Sequence, residues 1–206
     1  MLPNSTAANP AGAAEAVHET AEEARRTRIL EGAMGVFLAY GFQRTTMDDI
    51  ARAAEISRPA LYLRFRNKTD IYRALAHRFL EAVVAQAREA MARETSLAGR
   101  LGGAMCSASD KMLEIEASPH GAEILDMRNS LAADIVAAGR AEFHAMVEAA
   151  IAPDLAGRRA PGFTAGQLAD CLLDAIDGLK LRGLAPGEQR AAIDAYIAIV
   201  TRAAGS

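Results

Sequence analysis

The sequence predicts an all-α protein of two domains, and three observations point there. Ala, Leu, Glu and Arg crowd the 206 residues while Trp is absent and aromatics reach only 5%, a composition that favours helices over strands. Apolar residues recur at three- and four-residue spacing in one segment after another. Cap residues, Gly stops and Pro starts punctuate those segments. With 51% hydrophobic and 24% charged residues and a net charge of −3, the chain has ample material for a core and is not a disordered one. Its length suits two domains better than one.

Residues 1–21 mix Pro, Asn, Ser, Gly and Ala with almost no large apolar side chain and are expected to form a flexible arm. A first helix starts near Glu22: Ile29, Leu30, Ala33, Val36, Phe37 and Tyr40 form its stripe, and Gly41 stops it. Thr46 caps a short second helix with Asp49 three residues on, and Met47, Ile50 and Ala51 point inward. Ser57 caps a third helix with Pro59 in its first turn, where a missing N–H breaks no intrahelical bond. Leu61 and Phe65 anchor that helix. Asn67 caps a fourth helix, with Asp70 in its first turn and Ile71, Leu75, Phe79 and Val83 along its stripe, running towards Arg93 and bridging two domains, 22–79 and 80–206. Helices follow at about 97–117 and 122–152, then a polar loop over 153–163. Thr164 and Gln167 make a capping box for a helix at about 165–182, and Pro186 opens the last, at about 187–203.

The near-neutral total conceals a lopsided distribution. Residues 1–24 carry −4, residues 25–79 carry eleven bases against five acids for +6, and residues 80–206 carry −5. A compact basic module between acidic segments suits a polyanion, and DNA is the first candidate. No apolar run approaches the roughly 18 residues of a membrane span, and the N-terminus shows no export signal, so a cytoplasmic protein is expected. Cys106 and Cys171 lack metal-ligand spacing and read as two small buried hydrophobes. His120 and His144 have no helical metal-pair spacing, so no metal and no cofactor is expected. An enzyme is disfavoured, because no GxSxG, Walker loop, HExxH or Cys/His cluster appears.

The run from Thr46 to Phe65 is short helix, tight turn, short helix behind a longer supporting helix, the pattern of a helix-turn-helix. Its outer side presents Arg58, Pro59, Ala60, Tyr62, Leu63 and Arg64, in which guanidinium groups can meet guanine edges or phosphates and apolar groups a thymine methyl. Gly41-Phe42, Thr45-Thr46-Met47-Asp48-Asp49-Ile50-Ala51, Ile56-Ser57, Leu61-Tyr62, Phe65 and Asn67-Lys68 stand in an order that makes residues 25–79 resemble the DNA-binding domain of the tetracycline-repressor (TetR) family. The resemblance implies a dimeric helical regulator whose first three helices read an operator and whose C-terminal domain binds a small molecule. It implies DNA contacts at Thr45, Thr46, Ser57, Tyr62 and Lys68, largely to backbone, and base reading from Arg58, Pro59 and Ala60, with Leu63 and Arg64 beside them. At the turn, where that family commonly has Gly, this chain has Glu55, a departure costing about 1 kcal/mol.

Beyond residue 80 the resemblance is one of architecture only. Met105, Ser109, Met112, Met127, Phe143 and Met146 are the candidate lining of an effector pocket, since flexible thioethers suit apolar ligands. Asp170, Asp174 and Asp177 read as a solvated face. Leu168, Leu172, Ala175, Ile176 and Leu179 on one helix and Ile193, Tyr196, Ile197 and Val200 on the next are the expected homodimer interface, although such stripes could equally pack within one subunit. The functional expectation is a ligand-responsive regulator, a repressor in its simplest form, binding palindromic operator DNA as a homodimer and released by a largely apolar effector. The alternative is an activator or DNA-binding regulator without a ligand.

Overall fold

The computed structural model describes residues 10–126, 128–156, 162–180 and 182–205. Among these it is helical with no strand, and it divides into two compact units, Met1–Ala74 and Leu75–Ser206. The first unit holds α1 (Pro10–Tyr40), α2 (Met47–Ala53), α3 (Arg58–Tyr62) and the start of α4 (Lys68–Ala92). The rest of α4 belongs to the second unit, followed by α5 (Leu97–Glu116), α6 (Gly121–Asp126), α7 (Arg128–Leu131), α8 (Ala133–Ala156), α9 (Ala165–Lys180) and α10 (Pro186–Ala204).

In the first unit the helices form where caps and apolar spacing place them. Ile29, Leu30, Ala33 and Phe37 are the buried stripe of α1, and Ile50, Ala51, Leu61, Phe65 and Ile71 complete the core from α2, α3, the following turn and α4. Phe42 lies between Phe37 and Tyr72, with ring centroids 5.2 and 5.8 Å away in tilted and edge-on arrangements, the geometries that aromatic quadrupoles favour. α1 begins at Pro10, twelve residues before the expected start. The Ala-rich run after Pro10 has helix propensity enough to extend it, and Pro is at home in a first turn.

The backbones of α1 and α2 approach so closely at Gly32 that a Cβ there would lie 2.9 Å from the Ala54 nitrogen and 3.0 Å from the Ala53 carbonyl carbon. Glycine at 32 is therefore what lets α2 sit on α1. The turn between α2 and α3 is made by Glu55 at φ 55°, a left-handed conformation held by a non-glycine residue. Relief of that strain is worth about 1–2 kcal/mol and the added freedom of the unfolded glycine chain costs about 0.5–1. Glu55→Gly is thus expected to stabilise this unit by roughly 0.5–1 kcal/mol, seen as a higher urea midpoint; a lowered midpoint would mean that the Glu55 side chain contributes more than its backbone costs.

The second unit packs Leu97, Leu101 and Met105 of α5, Val147 and Ile151 of α8, Leu168 and Leu172 of α9, and Ile193, Ile197 and Val200 of α10 into one cluster. The expected helix at 122–152 is instead α6, α7 and α8. Among the described residues, the chain bends at Ala132, between α7 and α8. α8 also runs through Pro153 to Ala156, beyond the expected loop start. A proline this near a helix end removes little of the ladder, and burial of Leu155 at 8% exposure offsets it. The capping box of α9 forms as expected, Thr164 N donating to Gln167 Oε1 at 2.9 Å and Gln167 N to Thr164 Oγ1 at 3.1 Å.

Candidate nucleic-acid interface

The candidate surface is built from α2, the turn and α3. Thr46 is the N-cap of α2: its hydroxyl accepts from Asp49 N at 3.2 Å while Asp49 Oδ2 accepts from Thr46 N at 3.0 Å and from Thr46 Oγ1 at 2.6 Å. Those bonds, the hydroxyl's first, hold the Asp49 carboxyl below its ordinary titration range. Ser57 caps α3, its oxygen accepting from Ala60 N at 3.3 Å. Leu61 at 0% exposure is the pin that fastens α3 to the core. With that side turned inward, the other must face out: Arg58, Pro59, Tyr62 and Leu63 are exposed and Ala60 is half-buried. Leu63 is 83% and Tyr62 43% exposed, and two adjacent large apolar side chains in water are what a binding surface leaves uncovered.

Arg58 is the most structured of these groups. Its Nη1 donates to Asp48 Oδ2 at 3.0 Å, and its guanidinium carbon lies 5.5 Å from the centroid of the Tyr62 ring, within cation–π range. Sequence reasoning missed Asp48, since a carboxylate ten residues before an arginine, on another helix, leaves no periodic signal.

Three residues expected at the interface are used differently. Thr45 is 2% exposed, and its hydroxyl donates 2.8 Å to the Gly41 carbonyl. It holds the end of α1 and offers nothing outward. Arg64 is only 17% exposed; it pairs with Glu22 of α1 and donates to the Ala60 carbonyl at 3.3 Å. Lys68 turns its ammonium onto the α1–α2 loop, donating to the carbonyls of Phe42, Gln43 and Thr45 at 2.8, 3.1 and 3.2 Å, with Nζ 4.5 Å from the Phe42 ring centroid. An ammonium has three protons, so a phosphate would have to displace one of these bonds. Arg26, another of the basic side chains, lies 5.7 Å over the Phe65 ring.

In the second unit Met105 is buried in the core cluster, and Phe143 and Met146 pack against it. Ser109 and Met112 are half-buried, and Met127 lies outside the described residues. An open cleft of about 340 Å³ at the end of α8 and the start of α9 is lined by Leu155, Phe163, Thr164 and Gln167 among others, and by none of the expected effector-contacting residues. The stripes expected at a dimer interface are likewise turned inward: Leu168, Leu172, Leu179, Ile193, Ile197 and Val200 are in the subunit's own core, Ile176 and Tyr196 pack on it, and Ala175 is half-buried. Periodicity reports burial and not which chain does the burying. The three aspartates are paired and not merely solvated, Asp170 with His144 at 3.0 Å and Asp174 and Asp177 with Arg140 of α8. Cys106 is buried and burial raises its thiol pKa, whereas Cys171 is exposed, at the edge of the α9 stripe beside Asp170 and Asp174. Among the described residues, no helix is long and apolar enough to cross a membrane and no group of three or more His, Cys, Asp or Glu is placed to hold a metal ion.

Residues 29–75, which span α2, α3 and the candidate surface, match the model of the bacterial regulatory proteins of the tetR family. The transcriptional activator FasR of Mycolicibacterium smegmatis is 32% identical over 96 residues, 47% of this chain and 44% of that protein. The transcriptional regulator TtgR of Pseudomonas putida is 44% identical over 61 residues, 29% of each chain. The matched segment spans less than half the length of these curated relatives. Two solved structures share the fold: SmeT, the repressor of a Stenotrophomonas maltophilia multidrug efflux pump, with TM-score 0.61, 18% identity and coverage of 86% of this chain and 89% of that one, and Thermus thermophilus FadR, a transcriptional repressor in complex with lauroyl-CoA, with TM-score 0.57, 17% identity and coverage of 86% and 94%. The segment 29–75 is therefore similar to the N-terminal domain of the tetR family of bacterial regulatory proteins, and the chain shares the fold of a solved member of that family.

Proposed function

We propose that the chain is a ligand-responsive transcriptional regulator of the cytoplasm, a repressor in its simplest form, that binds palindromic operator DNA as a homodimer. The observation that carries this reading is the outer face of α3, where Ser57, Arg58, Pro59, Tyr62 and Leu63 are exposed on a short helix fastened by Leu61. A twofold pair would set two such helices one turn of DNA apart. With the inner stripes of α9 and α10 used by the subunit itself, the surface for a second copy is the outer face of α10, where Ala191, Ala195, Ala198 and Ile199 are exposed at helical spacing. Ile199 is 62% exposed.

The second unit would carry the effector site, as the lauroyl-CoA complex of the FadR structure supports. An effector that prefers a different setting of the DNA-binding units lowers operator affinity, a coupling commonly of about 1–3 kcal/mol, or 5- to 150-fold. α4 is the natural lever, since the chain passes from one unit to the other within it. The name of the FasR relative supports activation as the second reading.

The test is a gel shift with DNA from the region upstream of the coding sequence. Salt-sensitive, sequence-selective binding is expected; its absence overturns the reading. Arg58→Ala is expected to weaken the selected operator by about 1–3 kcal/mol and to relax base preference at one position, whereas uniform weakening across all sequences would make Arg58 a phosphate contact.

A further inference from the structure

We infer that Asp48 is a positioning residue that makes Arg58 a reader of guanine. The inference rests on the DNA-binding reading above. Arg58 occupies the first position of α3, the end of a recognition helix whose side chains reach base edges. A free surface arginine samples many rotamers, but this one is held at two points. Asp48 Oδ2 accepts from Nη1 at 3.0 Å, and the Tyr62 ring lies 5.5 Å from the guanidinium carbon. The contacts come from α2 and from one turn further along α3, so the plane of the fork is set by the fold of the helix-turn-helix itself.

Charge says what the fork is for. Asp48 and Arg58 are both exposed, at 52% and 60% of their side chains, and a carboxylate on a surface that faces phosphates repels them. An arginine serving only as a phosphate anchor would do better without it. The cost makes sense if direction matters more than charge. A guanidinium carries five N–H donors in a rigid fork, and one carboxylate contact leaves donors for a second, planar acceptor. Guanine alone offers two acceptors, O6 and N7, side by side in the major groove; adenine pairs its N7 with an amino donor, and thymine offers a single O4. A fork fixed in its plane therefore matches guanine and mismatches the others.

The test compares the full-length wild type, Asp48→Asn, Asp48→Glu and Arg58→Ala by selection from a random DNA pool, followed by fluorescence anisotropy on the selected sequence, its single-base variants and a scrambled duplex at fixed salt. Wild type is expected to prefer guanine at one position of each half-site by about tenfold or more, the discrimination that one bidentate pair supplies. Asp48→Asn should lose about tenfold of that preference at that position alone while binding scrambled DNA as tightly as wild type or a few-fold tighter. Asp48→Glu should restore part of the preference, and Arg58→Ala should abolish it at the same position. A merely structural Asp48 would lower binding to every duplex alike, which overturns the inference, as does a guanine preference that survives in Asp48→Asn. If wild type selects no motif at all, the DNA-binding reading falls and this inference with it.

Discussion

Phe37→Ala is expected to remove about 3–5 kcal/mol from the stability of the N-terminal unit. Phe37 has 0% exposure and faces the Phe42 ring at 5.2 Å, which in turn meets Tyr72. Truncation loses the transfer free energy of a whole ring and leaves a void that α1, pinned against α2 at Gly32, is poorly able to close. Lost aromatic contact adds to that. Urea unfolding followed by circular dichroism should show the loss as a separate, earlier transition of this unit or as a lower midpoint of the whole chain. A change under 1 kcal/mol would mean that the three rings are not the centre of the domain.

Lys68→Met is expected to cost about 2–4 kcal/mol, and to do so with no DNA present. Methionine keeps an unbranched stem of similar length and removes the cation. Three carbonyls, those of Phe42, Gln43 and Thr45, lose a charged donor, and hydrogen bonds to charged groups are worth about 1.5–3 kcal/mol each, less than additively because the site is partly open to water. The loop they stabilise delivers Thr46, the cap of α2, so operator binding should fall as a consequence of misplaced α2 and α3. An unchanged urea midpoint, with weaker binding to all DNA alike, would instead restore Lys68 to the direct phosphate contact that the family resemblance implies.

How much of this was legible from the residues depends on whether the signal was local. The caps at Thr46, Ser57 and Thr164, the stop at Gly41 and the inward-facing Leu61 and Phe65 are all local, and each lies where spacing and propensity put it. The exposed face of α3 followed from the same logic, because fixing one side of a short helix fixes the other. The partners of long polar side chains were not legible. Arg64 and Lys68 sit on or beside the recognition helix, yet Arg64 turns to Glu22, forty-two residues back, and Lys68 to a loop more than twenty residues back. Nothing in the sequence near them foretells which carboxylate or carbonyl arrives. The stripes of α9 and α10 were ambiguous for a different reason. A hydrophobic period states that a face is covered, and a subunit's own α5 and α8 cover it as well as a second copy would.

That inward use of the stripes bears on how an operator is filled. A protein whose apolar stripes are satisfied only by a partner has no stable life alone, and its folding and its pairing are one event. Here Leu172, Leu179, Ile193 and Val200 already lie in a closed core. In the pairing proposed above, what is left for a second copy is the exposed face of α10 with Ala191, Ala195, Ala198 and Ile199. Under the proposed function, such copies would fold singly, and two of them would have to meet before an operator is occupied. Operator occupancy would then climb with the square of subunit number at low concentration, giving the proposed switch a threshold that comes from counting molecules and from no contact with an effector at all.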